Sequence, residues 1–354
     1  MKTILLAPTP PPAGGIAGWT VRMMNATLKD GWTLSVVDEK AIGKRQVFGS
    51  AGRRSLLDEF KRCHQIWSNL RDELKDPETK VVHSCIPSVT LAMMREYICA
   101  VITKNRRRKF IIHFRCTVPN TTNGMIGKLV LKMLCNKSDL IISLNNQSTE
   151  YLKRITKTSV RCIPNFISTD ELEQKHEIRK ELKTVLYVGG LVESKGIYDC
   201  LEIAKSLPNI TFRFVGKGNS EFEDRATLCN LTNVVFVGQK DREGVKEELR
   251  NADVFLFMTY FRGEGFSNAL CEAMASGLPC IVTDWAANKD MIEGAGGRVI
   301  EIHNVAGAVE AIKEMNDYQI RSDMSCANIN KVKENYISDV VIDKYVDAYE
   351  SLIV

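Results

Sequence analysis

The chain has 354 residues, of which 44% are apolar and 26% charged, a composition typical of a globular protein with room for two domains. No apolar run approaches the roughly 18 to 20 residues that cross a bilayer, and the run at 3–7 is too short for a signal peptide. Eleven scattered cysteines, never spaced C-x-x-C, argue against a disulfide framework and against structural zinc. We expect most of them to be small buried hydrophobes in a reducing cytoplasm.

The formal charge of +5 is unevenly distributed along the chain. Residues 1–165 carry 27 Lys and Arg against 12 Asp and Glu, a net charge of +15, whereas residues 166–354 carry 21 against 31, a net charge of −10. A basic half next to an acidic half indicates that one domain faces an anionic partner, such as a membrane surface or a phosphate-bearing acceptor. A nucleic acid is disfavoured, because aromatic residues do not alternate with the basic ones.

Runs of β-branched residues alternate with helical patterns along the whole chain, which predicts parallel α/β sheets. The predicted strands are residues 3–7, 33–38, 80–84, 109–114 and 139–144 in the first half, and 184–188, 210–215, 234–237, 254–258 and 279–283 in the second. Pro164 and the charged stretch 169–183 predict a linker. We therefore expect domains at 1–165 and 166–337, and a segment at 338–354 whose amphipathic helix, 338–352, packs back toward the first domain.

Two Gly-containing loops follow predicted strands, at the strand ends where open α/β sheets bind ligands. Residues 10–18 contain three glycines, whose missing Cβ atoms leave room for a phosphate, and the next helix is expected near Trp19. Residues 187–196 bring Lys195 to the start of a helix, where a cation can neutralise a diphosphate. The alternatives are a Pro/Gly turn without a ligand and a solvated lysine.

The third loop, residues 263–279, has the strongest pattern. Glu264 lies in a Gly-rich turn after a strand, Ser267 or Asn268 can cap the following helix, and Glu272 falls within its first two turns. A carboxylate in an otherwise apolar helix that leads straight to a buried strand favours a functional role over a solvated surface position.

The segment EGFSNALCEAMASGLP at 264–279 resembles the E-x7-E signature of a large family of retaining glycosyltransferases. This family, of the glycosyltransferase family 4 type, includes many bacterial polysaccharide and lipopolysaccharide enzymes. Further segments are similar to it in the right order: IPN at 163–165, VGGLVESKG at 188–196 and VGKG at 215–218, with the first glycine loop and IHFR at 112–115 matching in kind. The resemblance covers nearly the whole chain. It implies the GT-B fold, in which two Rossmann-like, doubly wound α/β domains face each other across a cleft.

The resemblance also implies roles for individual residues. Glu272 would bond the ribose hydroxyls of a nucleotide, Glu264 would contact the donor sugar, and Lys195 would stabilise the diphosphate. His113 would lie near the transferred sugar and the acceptor, so that Glu264, His113 and Lys195 are the candidate catalytic residues; the alternative for His113 is a strand-end histidine bonded to backbone. The implied donor-binding residues, besides Lys195, Glu264 and Glu272, are Gly15, Gly216, Gly265, Phe266, Ser267 and Asn268.

The reaction that the resemblance implies is transfer of a sugar, with retention, from a nucleotide diphosphate sugar to a hydroxyl of a glycan or lipid-linked acceptor. The first domain would bind the acceptor, and the enzyme would work in the cytoplasm or at the inner face of the membrane. No Asp-x-Asp sequence occurs, so neither a metal nor a cofactor is expected. A sugar epimerase of the same fold and a non-catalytic subunit are the alternatives.

One position departs from the family pattern. Gly190 stands where the family usually has an arginine beside the diphosphate, and Arg262 or Lys217 would have to compensate. In the basic first half, residues 104–109 and the helical stretch 124–137 are the candidates for membrane contact, with Lys128 and Lys132 on one face. The alternative for the helical stretch is a core helix with a solvated basic stripe.

Overall fold

The chain folds into two units, each built around a parallel β-sheet. The computed structural model describes residues 1–11, 14–40, 56–172, 177–218 and 220–353. Unit 1 comprises Met1–Phe166 and Ser338–Val354, and unit 2 comprises Ile167–Ile337. This division lies one residue beyond the predicted domain boundary. Residues 173–176 of the predicted linker, and Pro12 and Ala13 of the first glycine loop, lie outside the described residues.

The described sheet of unit 1 has six parallel strands in the order β2-β1-β3-β4-β5-β6. These are β1 (Lys2–Ala7), β2 (Thr33–Asp38), β3 (Thr79–Ile86), β4 (Lys109–Phe114), β5 (Leu140–Ser143) and β6 (Val160–Cys162). The first five correspond to predicted strands. Strand β6 was not predicted, because its three residues are half-buried or exposed and show no apolar alternation.

Helices cover both faces of this sheet. They are α1 (Gly15–Met24), α2 (Leu56–Glu73), α3 (Thr90–Asn105), α4 (Val118–Thr121), α5 (Gly124–Lys137), α6 (Asn146–Ile155) and α14 (Ser338–Glu350). Helix α1 begins four residues before the predicted position, Trp19, because Gly14 already accepts a bond from the N–H of Gly18 (2.8 Å). Gly15 therefore lies in the first turn of a helix.

The side chains of each strand alternate between two cores. Ile4 and Phe110 belong to a core shared with α2, α3 and α5, whereas Leu5 and Ile111 belong to a core shared with α1 and α14. This follows from the strand geometry, since successive residues point to opposite faces. The C-terminal helix α14 is thus part of the hydrophobic core of unit 1.

The described sheet of unit 2 also has six parallel strands, in the order β12-β11-β10-β7-β8-β9. These are β7 (Thr184–Val188), β8 (Thr211–Val215), β9 (Val234–Gly238), β10 (Val254–Phe257), β11 (Cys280–Thr283) and β12 (Gly297–Ile300). All but β12 correspond to predicted strands. Strand β12 is a short edge strand whose residues are partly exposed, so its sequence lacks the apolar run that marks the central strands.

The helices of unit 2 are α7 (Ile197–Ser206), α8 (Glu221–Leu228), α9 (Arg242–Arg250), α10 (Asn268–Ala275), α11 (Asn288–Ile292), α12 (Val305–Glu314) and α13 (Tyr318–Asn335). The strand order reverses between β7 and β10, which are hydrogen-bonded neighbours. Open α/β sheets bind ligands at such a reversal, beyond the carboxyl ends of the two strands. The second and third predicted loops leave the sheet at these two strands.

The eleven cysteines are free thiols, and seven of them are buried. Cys63 and Cys229 are half-buried, and Cys162 and Cys326 are exposed, so the expected interior position holds for seven of the eleven cysteines. Within the described ranges, no helix combines the length and the apolar character that crossing a bilayer requires.

Candidate active site

An ion pair joins the second and third loops at the reversal in unit 2. Lys195 Nζ contacts Glu264 Oε2, and the two side chains are 18% and 11% exposed. Lys195 ends the 3-10 turn Glu193–Lys195 after β7, whereas Glu264 lies between β10 and α10. The backbone between β10 and the third loop also contacts the second loop, since the N–H of Tyr260 donates to the carbonyl of Ser194 (2.8 Å). The strand order thus places a cation and a carboxylate together that lie far apart in the sequence.

Two aromatic rings hold the ammonium group of Lys195. Its Nζ lies 5.4 Å from the ring centre of Phe257 and 5.0 Å from that of Phe261. Cation–π attraction of this kind fixes a lysine more firmly than solvent does. Neither phenylalanine was predicted to contact Lys195, because both are distant from it in the sequence and aromatic residues at a strand end usually belong to the core.

Gly196 packs the second loop against β10. Its φ is +75°, and a Cβ at this position would lie 2.0 Å from the carbonyl oxygen of Met258. Any other residue would push the loop away from the sheet, so glycine is required here by both the backbone conformation and the space. Lys195 immediately precedes it and is therefore placed by this close contact.

Gly216 has a comparable structural role in the neighbouring turn after β8. A Cβ on Gly216, whose φ is +154°, would lie 1.8 Å from the carbonyl oxygen of Gly189. The N–H of Leu191 donates to the carbonyl of Lys217 (2.9 Å), so the two turns run side by side. Backbone packing by itself accounts for glycine at position 216. A contact between Gly216 and the nucleotide-sugar donor remains a prediction.

The N-terminus of α10 follows closely in the sequence after Glu264 of the ion pair. Ser267 is its N-cap, with a side-chain oxygen that accepts from the N–H of Leu270 (3.2 Å), and Asn268 is the first helical residue. Phe266 is buried against Tyr336, with ring centres 5.1 Å apart, which anchors the loop. Glu272 is half-buried in the second turn. The positive end of a helix dipole at Gly265 to Asn268 provides an electrostatic site for an anion.

His113 lies elsewhere, inside the core of unit 1, and is 0% exposed. Its Nδ1 is 3.1 Å from His83 Nε2, and its Nε2 is 3.3 Å from Arg115 Nη1. The ring stacks on that of His83 and meets the edge of Trp19. A sugar could reach this ring only after neighbouring side chains move, so the catalytic role of His113 stays a prediction.

The two histidines form a directed hydrogen-bond chain. Burial, and the positive charge of Arg115, lower the pKa of His83 to about 3 and hold that of His113 well below its ordinary value, so both rings are neutral. A guanidinium only donates, so His113 Nε2 accepts from Arg115 and its Nδ1–H donates to His83. His83 Nδ1–H then donates to the hydroxyl oxygen of Tyr349 (2.8 Å). Arg115 lies two residues after His113, and this spacing could have suggested that the two side chains meet. No local sequence signal connects His83 with Tyr349, which are far apart in the sequence.

His83, Cys85 and His113 also offer three metal-ligating atoms within 4.8 Å of one another. A metal needs ring nitrogens with available lone pairs and a deprotonated thiol. Both acceptor nitrogens, His83 Nε2 and His113 Nε2, already receive a hydrogen bond in the network described above. Burial also raises the pKa of the Cys85 thiol, which keeps it protonated. The cluster therefore fits a hydrogen-bonded core better than a metal centre.

We expect unit 1 to lose stability as the pH falls below about 6.5, the unfolded pKa of histidine. The folded pKa values of His83 and His113 are depressed, so the unfolded chain binds more protons below that pH. Stability is fully present above pH 6.5 and falls by about 1.4 kcal/mol per pH unit for each histidine. Urea unfolding of unit 1 at several pH values, followed by tryptophan fluorescence, measures the slope.

Exposed His64 provides the matched control. Changing His64 to Gln should leave the slope unchanged, whereas changing both His83 and His113 to Gln should flatten it, whatever happens to stability at neutral pH. A wild-type slope of zero between about pH 4.5 and 6.5 would contradict neutral, buried histidines.

The two units together have the architecture of GT-B proteins. Sucrose-phosphate synthase from Thermosynechococcus elongatus superposes with a TM-score of 0.80 at 16% identity, over 99% of both chains. HepE from Anabaena in complex with UDP superposes with a TM-score of 0.73 at 13% identity, over 99% of this chain and 100% of that one. Identities this low show the fold, and the chain has the GT-B fold.

The family assignment comes from unit 2. Residues 168–331 match the family described as Glycosyl transferases group 1, and this segment belongs to it. The processive diacylglycerol alpha-glucosyltransferase of Acholeplasma laidlawii is 28% identical over 221 residues, 53% of this chain and 66% of that protein. The matches span between half and two thirds of the first curated relatives, at 66%, 50% and 57% of their lengths.

Proposed function

We propose that this chain is a retaining, metal-independent glycosyltransferase that moves a hexose from a nucleotide diphosphate sugar to a hydroxyl of a glycan or lipid-linked acceptor. The observation that carries the proposal is the partly buried Lys195–Glu264 pair, which lies at the strand reversal of unit 2. A cation, a carboxylate and a helix N-terminus lie together beyond the carboxyl ends of β7 and β10. Together they form a site for a diphosphate that is attached to a polar group such as a sugar.

Each part of the donor has a candidate partner in unit 2. The diphosphate is assigned to Lys195 and to the backbone N–H groups of Gly265 to Asn268, because both are electropositive. Glu264 accepts hydrogen bonds from the sugar hydroxyls, and half-buried Glu272 accepts those of the ribose. The HepE neighbour, solved with UDP, supports a nucleotide diphosphate as the ligand of this fold.

In the proposed reaction, the acceptor hydroxyl attacks the anomeric carbon from the face that the diphosphate leaves. A new C–O bond forms while the bond from C1 to the phosphate oxygen breaks, and the departing oxygen takes the hydroxyl proton. Lys195 and the α10 N-terminus stabilise the charge that grows on the leaving group. Fixed donors and a cation thus supply the stabilisation that a metal supplies in other enzymes.

Glycines in two loops bear on the diphosphate. A Cβ on Gly15 or Gly14 would meet no atom within 4 Å, and neither residue has a positive φ, so the fold does not require glycine there. Among the described residues, the space beside Gly15 leaves room for a ligand, which supports its proposed donor role. A Cβ on Gly190 would also meet nothing, so its replacement of the family arginine is not imposed by packing. Lys217, in the adjoining turn, is the cation that we propose compensates for it.

The acceptor side of the proposal rests on charge and on the relatives. The first 165 residues have a net charge of +15, and the Acholeplasma relative is named for glucosylation of diacylglycerol. We assign unit 1 to acceptor binding, with His113 near the transferred sugar, at the inner face of a membrane. Each basic group near an anionic bilayer contributes about 1 kcal/mol, enough in sum to hold the protein there.

A thermal-shift screen with uridine, guanosine and adenosine diphosphates tests the function. A ligand that binds only the folded state stabilises it by RT ln(1 + [L]/Kd), so the correct nucleotide should raise the Tm. Adding acceptor to the matching nucleotide sugar should then release one free nucleotide diphosphate per glycoside. Conversion of the nucleotide sugar to its epimer, with no diphosphate released when the acceptor is added, would favour an epimerase. A Tm unchanged by all three diphosphates would favour a non-catalytic subunit.

Changing Glu272 to Gln should weaken binding of the nucleotide diphosphate about 10- to 100-fold, because a charge-assisted hydrogen bond contributes about 1.5 to 3 kcal/mol. The fold should persist, since the amide has the same shape. Isothermal titration calorimetry measures the affinity, and Glu310→Gln, an exposed helix position in the same unit, is the control. Equal affinities for the wild type and Glu272→Gln would remove the ribose assignment.

A further inference from the structure

Helix α5 presents apolar side chains to solvent. Met125, Ile126, Leu129 and Met133 are 89%, 72%, 60% and 44% exposed. On a surface helix of a globular protein, this arc normally carries polar and charged residues. The opposite face is conventional, because Leu131, Leu134 and Cys135 are buried in the core of unit 1. The exposed apolar arc is therefore an addition to the core face and not a substitute for it.

The geometry of the helix groups these side chains. Positions 125, 129 and 133 follow one another at four-residue steps and lie on one stripe, with Ile126 beside it. Lys128 and Lys132 are exposed and lie along the border of the same stripe. An apolar stripe bordered by lysines is the pattern of helices that lie in a membrane interface.

Helix α3 extends the apolar area. Leu91, Met94 and Ile98 are exposed on α3, at three- and four-residue spacing. The two helices touch closely, since a Cβ on Gly127 would lie only 3.2 Å from Thr90 Oγ1. Both cover the same face of the sheet. We call the seven exposed side chains the α3–α5 surface: Leu91, Met94, Ile98, Met125, Ile126, Leu129 and Met133.

The exposed charges on α3 and α5 have one sign. Helix α5 contains no acidic residue, and the only acidic residue of α3, Glu96, is fully buried. Arg95 of α3 is buried as well and pairs with Glu96. The exposed charges on the middle of the surface are thus those of Lys128 and Lys132. Positive charge without exposed carboxylates is complementary to an anionic lipid surface.

We propose that the α3–α5 surface is the membrane-docking site of this protein and inserts its apolar side chains among anionic lipids. Contiguous exposed apolar patches mark interaction sites on soluble domains. The lysine border favours lipid over a second copy of this chain, because a symmetric contact would bring Lys128 and Lys132 toward their own copies. The inference deepens the membrane part of the proposed function by naming the surface and by making insertion, besides charge, its source of affinity.

Sedimentation with vesicles tests this surface. The full chain should bind vesicles of phosphatidylglycerol and phosphatidylcholine in equal amounts better than vesicles of phosphatidylcholine alone. Ile126→Gln with Leu129→Gln should weaken binding at least about tenfold, since two apolar side chains no longer insert. The matched control is Leu228→Gln, which changes a side chain that is 80% exposed in unit 2 and should bind like the wild type.

Salt separates insertion from charge. Raising it from about 0.1 M to 1 M shortens the Debye length from about 10 Å to 3 Å. Wild-type binding should fall but persist, the Ile126/Leu129 variant should lose its residual binding, and Lys128→Gln with Lys132→Gln should depend less on salt than the wild type. Vesicle binding equal in the Ile126/Leu129 variant and the wild type would overturn the proposal. A wild-type protein that binds no vesicles but forms a concentration-dependent dimer, which the Ile126/Leu129 variant does not form, would also overturn the proposal.

Nucleotide binding distinguishes this proposal from the proposed function. The Ile126/Leu129 variant should keep the wild-type Tm shift with the matching diphosphate, because these residues lie in unit 1 and the donor site is assigned to unit 2. Lost vesicle binding with an intact shift supports docking, whereas vesicle binding without any nucleotide shift would leave docking standing and remove the glycosyltransferase assignment.

Discussion

Changing Lys195 to Ala should lower turnover about 100- to 1000-fold, the usual effect of removing one group that stabilises a developing negative charge. Lys195 contacts Glu264, and its ammonium group lies over the rings of Phe257 and Phe261, so its charge is fixed at this site. The affinity for the free nucleoside should change much less, because the charge acts on the diphosphate. Steady-state kinetics with saturating donor and acceptor measure the effect.

The matched control is Lys205→Ala, which removes an exposed lysine from the last turn of α7. It should leave turnover at the wild-type value. Since Lys195→Ala also leaves Glu264 without its cation, the thermal unfolding midpoint of this variant separates a structural effect from a catalytic one: a wild-type Tm with lowered turnover assigns the loss to catalysis. Wild-type turnover in Lys195→Ala would exclude the proposed role in charge stabilisation.

Changing Arg95 to Met should destabilise unit 1 by about 3 to 5 kcal/mol, because it leaves buried carboxylates without their cation. Arg95 Nη2 lies 2.7 Å from Glu39 Oε2, and its Nε lies 2.6 Å from Glu96 Oε1. Ser84 Oγ donates to the other oxygen of Glu96 (2.7 Å). All three charged groups are less than a tenth exposed. The cluster ties α3 to the ends of two strands, so urea unfolding should show the loss directly.

Burial opposes the charges of this cluster, and the ion pairs outweigh it for Arg95 but not for Glu39. Burial alone lowers the pKa of Arg95, but attraction to Glu39 and Glu96 raises it above the ordinary value; burial raises the pKa of Glu39. Adding Glu39→Gln and Glu96→Gln to Arg95→Met should recover much of the lost stability, because an uncharged cluster has no unpaired ion. Lys153→Met, which breaks the exposed pair with Glu150, is the control and should cost at most about 1 kcal/mol. Equal losses from both substitutions would contradict a special role for the buried cluster.

The central strands were predictable from their sequence. Residues 109–114 and 184–188 coincide with β4 and β7, because strands buried on both faces have continuous apolar runs that stop at turn residues. The edge strands β6 and β12 were not, since a strand with one neighbour and exposed side chains needs no apolar run. Their pairing is decided by the adjacent strand, which lies elsewhere in the sequence.

The sequence alone determined the fold class and the loops at which the donor site was sought, because strand and helix periodicity and turn chemistry are local. Only the tertiary structure decided which side chains meet there. Lys195 reaches Glu264 because β7 and β10 are neighbours, and the strand order depends on the whole sheet. His113 is buried because His83, Arg115 and Tyr349 surround it, and the apolar stripe of α5 is exposed because the core already contacts the opposite face. Burial is a property of neighbours, which a single sequence position does not contain.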